Sequence, residues 1–355
     1  MNLGLVCEGE PGLAACRQLG QALRQRGACV TLLSPTEGNT AGNTAGNTGQ
    51  DHLPWLPLAP LAAACSDLLQ GLDAVGVFLE GAAVASFRRV HAEAARLRGA
   101  PPRPLFSGPI RPLCGDALTA DLLPRLGYDL ICVQGQAQQE ELSWLLQDSG
   151  QTEQAVETIG LWCLPTQPIG HATSQQPMLL MLDQAELPPS PFANGVLYER
   201  LKAIALSSPG WLVRLQSESP LAVDPAEWPQ TSLLWHGQQD LQRPANLQLG
   251  LADDLPMALI QASACLGIGS AWLISAMVWG KPTVVLGDYG IRTEFNGPLF
   301  FGSGAMQQLA DCLPLERLLQ LPPVNPHWLG SRGWAIADGP ERLLRRLEQL
   351  GGEQP

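Results

Sequence analysis

Apolar residues recur along this chain in two forms, as short unbroken runs and as positions three or four apart. Leu3, Leu5, Val6 and Cys7 make the first run. Leu13, Cys16, Leu19 and Leu23 then follow at helical spacing, and Gly27 supplies a stop. Runs at 29–33, 74–79, 104–107 and 130–134 read as further buried strands. Helical patterns lie between them at 58–69 and 84–98, up to residue 126, and at 137–146. Continuous apolar strands alternating with helices predict a parallel sheet covered on both faces. The pattern restarts with strands at 178–182, 211–215, 232–235, 264–266 and 283–286, and helices at 197–206, 255–263 and 271–279. A last helix, 339–350, carries Leu343, Leu344, Leu347 and Leu350 on one face.

Two such series fit the length, since 355 residues exceed what one hydrophobic core serves. Prolines 165, 168 and 177 interrupt polar residues between the series. The expected organisation is therefore an N-terminal Rossmann-like domain over 1–162, a linker over 163–177, a second such domain over 178–338, and a helix with tail over 339–355. The Gly-Asn-Thr-Ala repeat of 38–49 offers almost nothing apolar to bury, so 36–52 is expected to be a flexible loop.

Charge and cysteine usage narrow the function classes. A net charge of −12, with Lys202 and Lys281 the only lysines, leaves no basic stripe for nucleic acid. No apolar run approaches the ~20 residues of a membrane span, and no basic, then apolar leader opens the chain. The nine cysteines form no CxxC pair, as in a reduced cytoplasmic protein. The five histidines stand apart from them, so no zinc site is expected.

Candidate chemistry gathers where strands end. Gly267-Ile268-Gly269-Ser270 is a glycine turn between strand and helix, a place where backbone N–H groups and a hydroxyl can meet a phosphate. The same turn is also an ordinary need of any doubly wound domain. Asp288-Tyr289-Gly290 follows the next strand, and Asp288 can hydrogen-bond a ribose or simply close a turn. Ser303 is a second phosphate contact or a loop residue. Asp183 and Gln184 end another strand and border the expected ligand edge. Arg214 can neutralise a phosphate or make a surface ion pair. Glu8 and Glu10 flank Gly9 after the first strand and act either as a base or as the acidic lead into a helix. His236 and His327 read as structural. Two Rossmann-like halves imply a cleft between them, the GT-B architecture, with Gly9 and Gly108 on its first-domain side.

Ordered motifs carry a resemblance. Met178 to Pro188, Tyr198-Glu199-Arg200, Trp211-Leu212-Val213-Arg214, Gly269-Ser270, Gly280-Lys281-Pro282, Asp288-Tyr289-Gly290 and Phe300-Phe301-Gly302-Ser303-Gly304 together resemble a bacterial family assigned as glycosyltransferases under a domain-of-unknown-function label. That family is similar in layout to bacterial sialyl- and polysialyltransferases, which hold a CMP-sugar phosphate with a serine/threonine pair at this turn; here the pair is Gly269-Ser270. The resemblance implies transfer of a sugar from a nucleotide-sugar donor to a glycan or other hydroxyl acceptor, with inversion and with neither metal nor cofactor. Glu8 or Glu10 would be the base. Arg214, Gly267, Gly269, Ser270, Asp288, Tyr289, Gly290 and Ser303 would hold the donor. A nucleotide-sugar epimerase of the same fold and a binding scaffold without activity are the alternatives.

Overall fold

The computed structural model describes residues 1–35, 53–166, 176–184, 187–219, 221–222 and 224–352. The repeat at 38–49 and most of the linker expected at 163–177 lie outside the described residues. The chain divides into two compact units, Met1–Pro165 with Gly330–Pro355, and Thr166–Leu329.

The first unit is a seven-stranded parallel sheet in the order β3-β2-β1-β4-β5-β6-β7. Its strands are β1 (Asn2–Cys7), β2 (Cys29–Ser34), β3 (Trp55–Pro57), β4 (Ala74–Phe78), β5 (Leu105–Ser107), β6 (Leu130–Val133) and β7 (Val156–Thr158). Leu3, Leu5, Val6 and Cys7 are fully buried, as a central parallel strand requires. Helices α1 (Gly9–Arg24), α2 (Pro60–Cys65), α3 (Ala82–Arg98), α4 (Gly115–Leu122) and α5 (Gln136–Asp148) connect the strands. α1 buries Leu13, Cys16, Leu19 and Leu23, the four residues its spacing selects. The helix expected over 58–69 is shorter, because Ser66 ends α2 and its hydroxyl caps a 3-10 turn, Asp67–Gly71.

The second unit is a six-stranded parallel sheet in the order β10-β9-β8-β11-β12-β13. These strands are β8 (Met178–Asp183), β9 (Leu212–Ser217), β10 (Leu247–Gly250), β11 (Ala264–Gly267), β12 (Thr283–Leu286) and β13 (Met306–Gln307). Its helices are α6 (Pro191–Ser207), α7 (Leu233–Gln239), α8 (Leu255–Gln261), α9 (Trp272–Val278), α10 (Gly297–Phe300) and α11 (Pro326–Ser331). Leu179, Met181, Leu201, Val213, Leu215, Leu266 and Val284 share one core.

One expected strand is a helix. The run at 232–235 opens α7, because the Ser232 hydroxyl accepts from the Leu234 N–H at 3.1 Å and fixes a helix start. A four-residue apolar run does not distinguish strand from helix by period, and the cap decides it.

The C-terminal segment also departs from expectation. Residues 330–338, assigned by sequence to the second domain, belong to the first unit, as does α12 (Gly339–Gly352). Trp334 is 1% exposed and donates its indole N–H to Gln134 Oε1 at 2.9 Å, just beyond β6. Gly333 has φ +74°, and a methyl group there would overlap the Gln134 carbonyl, so only glycine admits this approach. α12 buries Leu343 and Leu347.

Each sheet reverses its strand order once. In the first the reversal falls between β1 and β4, in the second between β8 and β11. Ligands of open α/β sheets bind beyond the carboxyl ends of strands at such points.

Candidate functional site

At the second reversal point four short segments meet. Asp183 and Gln184 end β8, Glu218 follows β9, Gly267 to Ser270 follow β11, and Arg292 to Gly297 lie beyond β12. Gln184 Oε1 accepts from the Gly269 N–H at 3.1 Å and so joins the β8 end to the turn. Asn296, in the left-handed conformation, donates its side-chain N–H to the Gly269 carbonyl at 3.0 Å. The turn is thus clamped from two sides.

Ser270 is fully buried, and its hydroxyl accepts from the Trp272 N–H at 3.1 Å. It stands one residue before Ala271, the N-cap of α9, and does the capping work that a serine here was expected to do. The hydroxyl also lies against the Glu218 carboxyl, whose titration it influences.

Asp183 was read as a residue that borders the cleft, but the structure commits it elsewhere. It is 2% exposed and accepts from the Ser232 hydroxyl at 2.5 Å and from the Leu233 and Leu234 N–H groups at 3.1 and 3.4 Å. Burial raises its pKa, and these three donors partly offset that rise. The carboxylate therefore anchors the first turn of α7 to the end of β8. Asp183→Ala would leave the buried Ser232 hydroxyl and the Leu233 N–H short of an acceptor, the Leu234 N–H keeping the Ser232 oxygen, and is expected to cost about 2–4 kcal/mol in urea unfolding of the protein.

Arg214 is not brought to the turn. It lies within β9, with Nε donating to Gln216 Oε1 at 2.9 Å and the guanidinium 3.3 Å from Asp254. Its side chain leans over Gly250 on β10, whereas β11 lies two strands away on the other side, about 10 Å. Asp288 is also engaged. One carboxylate oxygen accepts from the Leu309 N–H at 2.8 Å, and the other is 3.3 Å from Arg200. Tyr289 packs edge-on against Phe295, with ring centres 6.4 Å apart, and Gly290 closes the turn with φ +79°. Ser303 is buried, and its hydroxyl accepts from the Ala305 N–H at 3.1 Å, which is the loop role. Lys281 of the Gly-Lys-Pro motif spans from the start of β12 to the Ile260 and Ala262 carbonyls at 2.9 and 2.7 Å.

At the first reversal point Glu8 is the extended N-cap residue of α1, with no side-chain capping bond, and Gly9 and Glu10 form the first turn. The acidic loop expected before the helix is therefore the helix start itself. Both carboxylates are exposed. Gly108 follows β5 and is buried, and a β-carbon there would fall 2.5 Å from the Cys132 carbonyl oxygen. This contact serves sheet packing. Of the two histidines taken as structural, His236 stacks on Tyr198, with centres 6.1 Å apart.

Two residues went unselected by sequence. Glu218 follows directly on β9, the same signal that singled out Asp183 after β8. Its Oε1 is buried and has no hydrogen-bond partner among the described residues, and burial together with the Asp183 charge pushes its pKa up to about 8. Arg292 is exposed, with its guanidinium carbon 5.6 Å from the centre of the Phe295 ring. A groove of about 760 Å³ between α6 and α7, walled by Phe192, Val196, Tyr198, Ala203 and His236, includes none of these strand-end residues. No group of His, Cys, Asp and Glu among the described residues is arranged to hold a metal ion, and no described helix is long and apolar enough to cross a membrane.

Solved structures share the whole fold. UDP-GlcNAc 2-epimerase from Methanocaldococcus jannaschii superposes with a TM-score of 0.64 at 13% identity, covering 98% of this chain and 100% of that one. MnaA of S. aureus, solved with UDP, gives 0.62 at 12% identity over 100% and 98%. The glycotransferase of kitacinnamycin gives 0.57 at 15% over 100% and 99%. The architecture is that of the GT-B enzymes, two Rossmann-like domains. No curated protein matches the sequence. The model of the family described as "Putative glycosyltransferase (DUF6716)" matches residues 13–350, nearly the whole chain, and the chain belongs to that family.

Proposed function

We propose that this protein is a glycosyltransferase that takes its sugar from a nucleotide-sugar donor and passes it to a hydroxyl acceptor. The observation that carries the reading is the position of the clamped glycine turn. In a chain of this family, Gly267 to Ser270 fall at the β8/β11 reversal of the second sheet, where doubly wound folds take ligands. The donor diphosphate is assigned to this edge, with the exposed Arg292, whose guanidinium lies over the Phe295 ring, as its cation. Glu8 or Glu10 remains the proposed base for the acceptor hydroxyl.

A thermal-shift screen of UDP-, CMP-, GDP- and ADP-linked sugars tests donor binding. A ligand at a hundred times its Kd should stabilise by about 2.7 kcal/mol. Ser270→Ala removes the hydroxyl that caps α9 and borders Glu218, and should weaken binding of the best donor about tenfold, or ~1.4 kcal/mol, by calorimetry. Unchanged affinity would remove the turn from the site.

A second reading, a nucleotide-sugar epimerase, is favoured by the likeness to the UDP-GlcNAc 2-epimerases. The two separate cleanly by NMR of the donor. An epimerase converts the donor sugar to a stereoisomer with no acceptor present, whereas a transferase needs an acceptor and releases nucleotide as the new glycosidic bond forms.

A further inference from the structure

The carboxyl edge of the second sheet holds a group that the fold does not account for. Glu218 donates its backbone N–H to the Asp183 carbonyl at 3.2 Å, which fixes it beside the end of β8. Its neighbours there are the Asp183 carboxylate on β8 and the Ser270 hydroxyl on the turn after β11. Asp183 spends its own oxygens on α7, and Ser270 accepts from Trp272. Glu218 Oε1 is left buried with no partner among the described residues. A buried unsatisfied carboxyl oxygen costs stability, and such atoms in folded proteins require an explanation.

We propose that Glu218 is a ligand-contact residue that carries a proton at neutral pH and donates it as a hydrogen bond to a diphosphate oxygen of the bound nucleotide-sugar. This inference rests on the donor-site reading above and adds to it a proton. Three facts point this way. An ionised carboxylate beside the turn would repel a diphosphate, whereas a carboxylic acid offers it an O–H donor. Two arginines of the site motifs, Arg214 and Arg200, are spent on Asp254 and Asp288, which leaves Arg292 as the cation assigned to the donor. Burial first, with the Asp183 charge adding to it, pushes the Glu218 pKa up to about 8, against the Ser270 hydroxyl, whose hydrogen bond to the carboxylate lowers it.

No bond is made or broken in this contact. The proton stays on Glu218 and is shared with the phosphate oxygen.

Two measurements test the proposal. The first uses the free protein, with ¹³C-labelled glutamate carboxyls followed by NMR from pH 4 to pH 10, the Glu218 signal being the one absent in Glu218→Gln. A midpoint well above the ordinary glutamate range supports the assignment, and an ordinary midpoint overturns it. The second is calorimetric titration with UDP-GlcNAc, whose diphosphate does not change charge between pH 6.5 and pH 9.5. Wild-type affinity should hold steady below about pH 8 and fall toward tenfold per pH unit above it, as the acid form is lost. Glu218→Gln keeps an N–H donor of similar shape and should bind with an affinity that does not vary over this range. Glu218→Ala should bind at least tenfold more weakly at pH 7.

A flat wild-type profile, or the same pH dependence in Glu218→Gln, refutes the proton role while leaving the donor site standing. A high Glu218 midpoint in a protein that binds UDP-GlcNAc at no pH refutes the contact with this donor, and the donor-site reading falls with it when the CMP-, GDP- and ADP-linked sugars also fail to bind.

Discussion

Replacing Trp334 with alanine is expected to destabilise the first unit by about 3–5 kcal/mol, the range for removing a buried aromatic side chain. Trp334 is 1% exposed and lies far along the chain from the strand it meets, where its indole N–H is held 2.9 Å from Gln134 Oε1. The substitution opens a cavity and also leaves that buried amide oxygen without its donor. Gln134 has further duties, since its backbone N–H donates to Gln138 Oε1 at 2.9 Å and its side-chain amide meets Cys163 Sγ at 3.6 Å. Trp334→Phe separates the two terms. It refills most of the volume and loses only the hydrogen bond, so it should cost about 1–2 kcal/mol. Urea unfolding followed by the signal of the first unit measures both. Loss of less than 1 kcal/mol in Trp334→Ala would show that 330–355 is an appendage rather than part of that unit's fold.

This return of the C-terminus was not legible in the sequence, and the reason is physical. The spacing of Leu343 and Leu347 announces a buried helix face but not which surface buries it. The anchors are one buried tryptophan and close backbone approaches, among them those at Gly333 and Gly339, and neither kind leaves a periodic trace. What was legible followed from strong local patterns. β1, β4, β8 and β12 are unbroken apolar runs, and α1 repeats its core residues at 3.6-residue spacing. Short edge strands such as β7, β10 and β13 lack such a run and escaped.

The site divides in the same way. Sequence finds chemistry-bearing types at strand ends, and Gly269, Ser270 and Gln184 do meet at the β8/β11 reversal. It does not give the direction of a side chain. Arg214 alternates onto the same face as Gln216 and is drawn toward Asp254, and Asp183 is drawn into the start of α7. Glu218 carried the same strand-end signal as Asp183, and only its unpartnered buried oxygen distinguishes it.

Gly269→Ala should have the largest effect on the proposed donor site. A β-carbon at this position would overlap the Phe295 carbonyl oxygen, a backbone atom that cannot turn aside. Gly269 is also bonded on both sides, through its N–H to Gln184 at 3.1 Å and through its carbonyl to Asn296 at 3.0 Å. To admit the methyl group, the turn after β11 and the segment after β12 must separate, and both clamps lengthen. Overpacking of this kind costs about 2–3 kcal/mol. Because the turn itself moves, nucleotide-sugar binding should fall by about tenfold or more, beyond what lost stability alone explains at a temperature where the variant stays folded. Gly267→Ala is the control. There the tightest contact of the new β-carbon is the Leu273 Cδ1 methyl at 3.1 Å, the flexible end of a side chain, with Leu182 Cβ at 3.5 Å, so the change should cost under about 1 kcal/mol and lower donor affinity by much less than Gly269→Ala does. Calorimetry on the two variants beside wild type reads the difference. Equal loss of donor affinity in both would mean that any change to β11 disturbs the ligand. No loss in Gly269→Ala, with its destabilisation confirmed, would place the donor away from this turn.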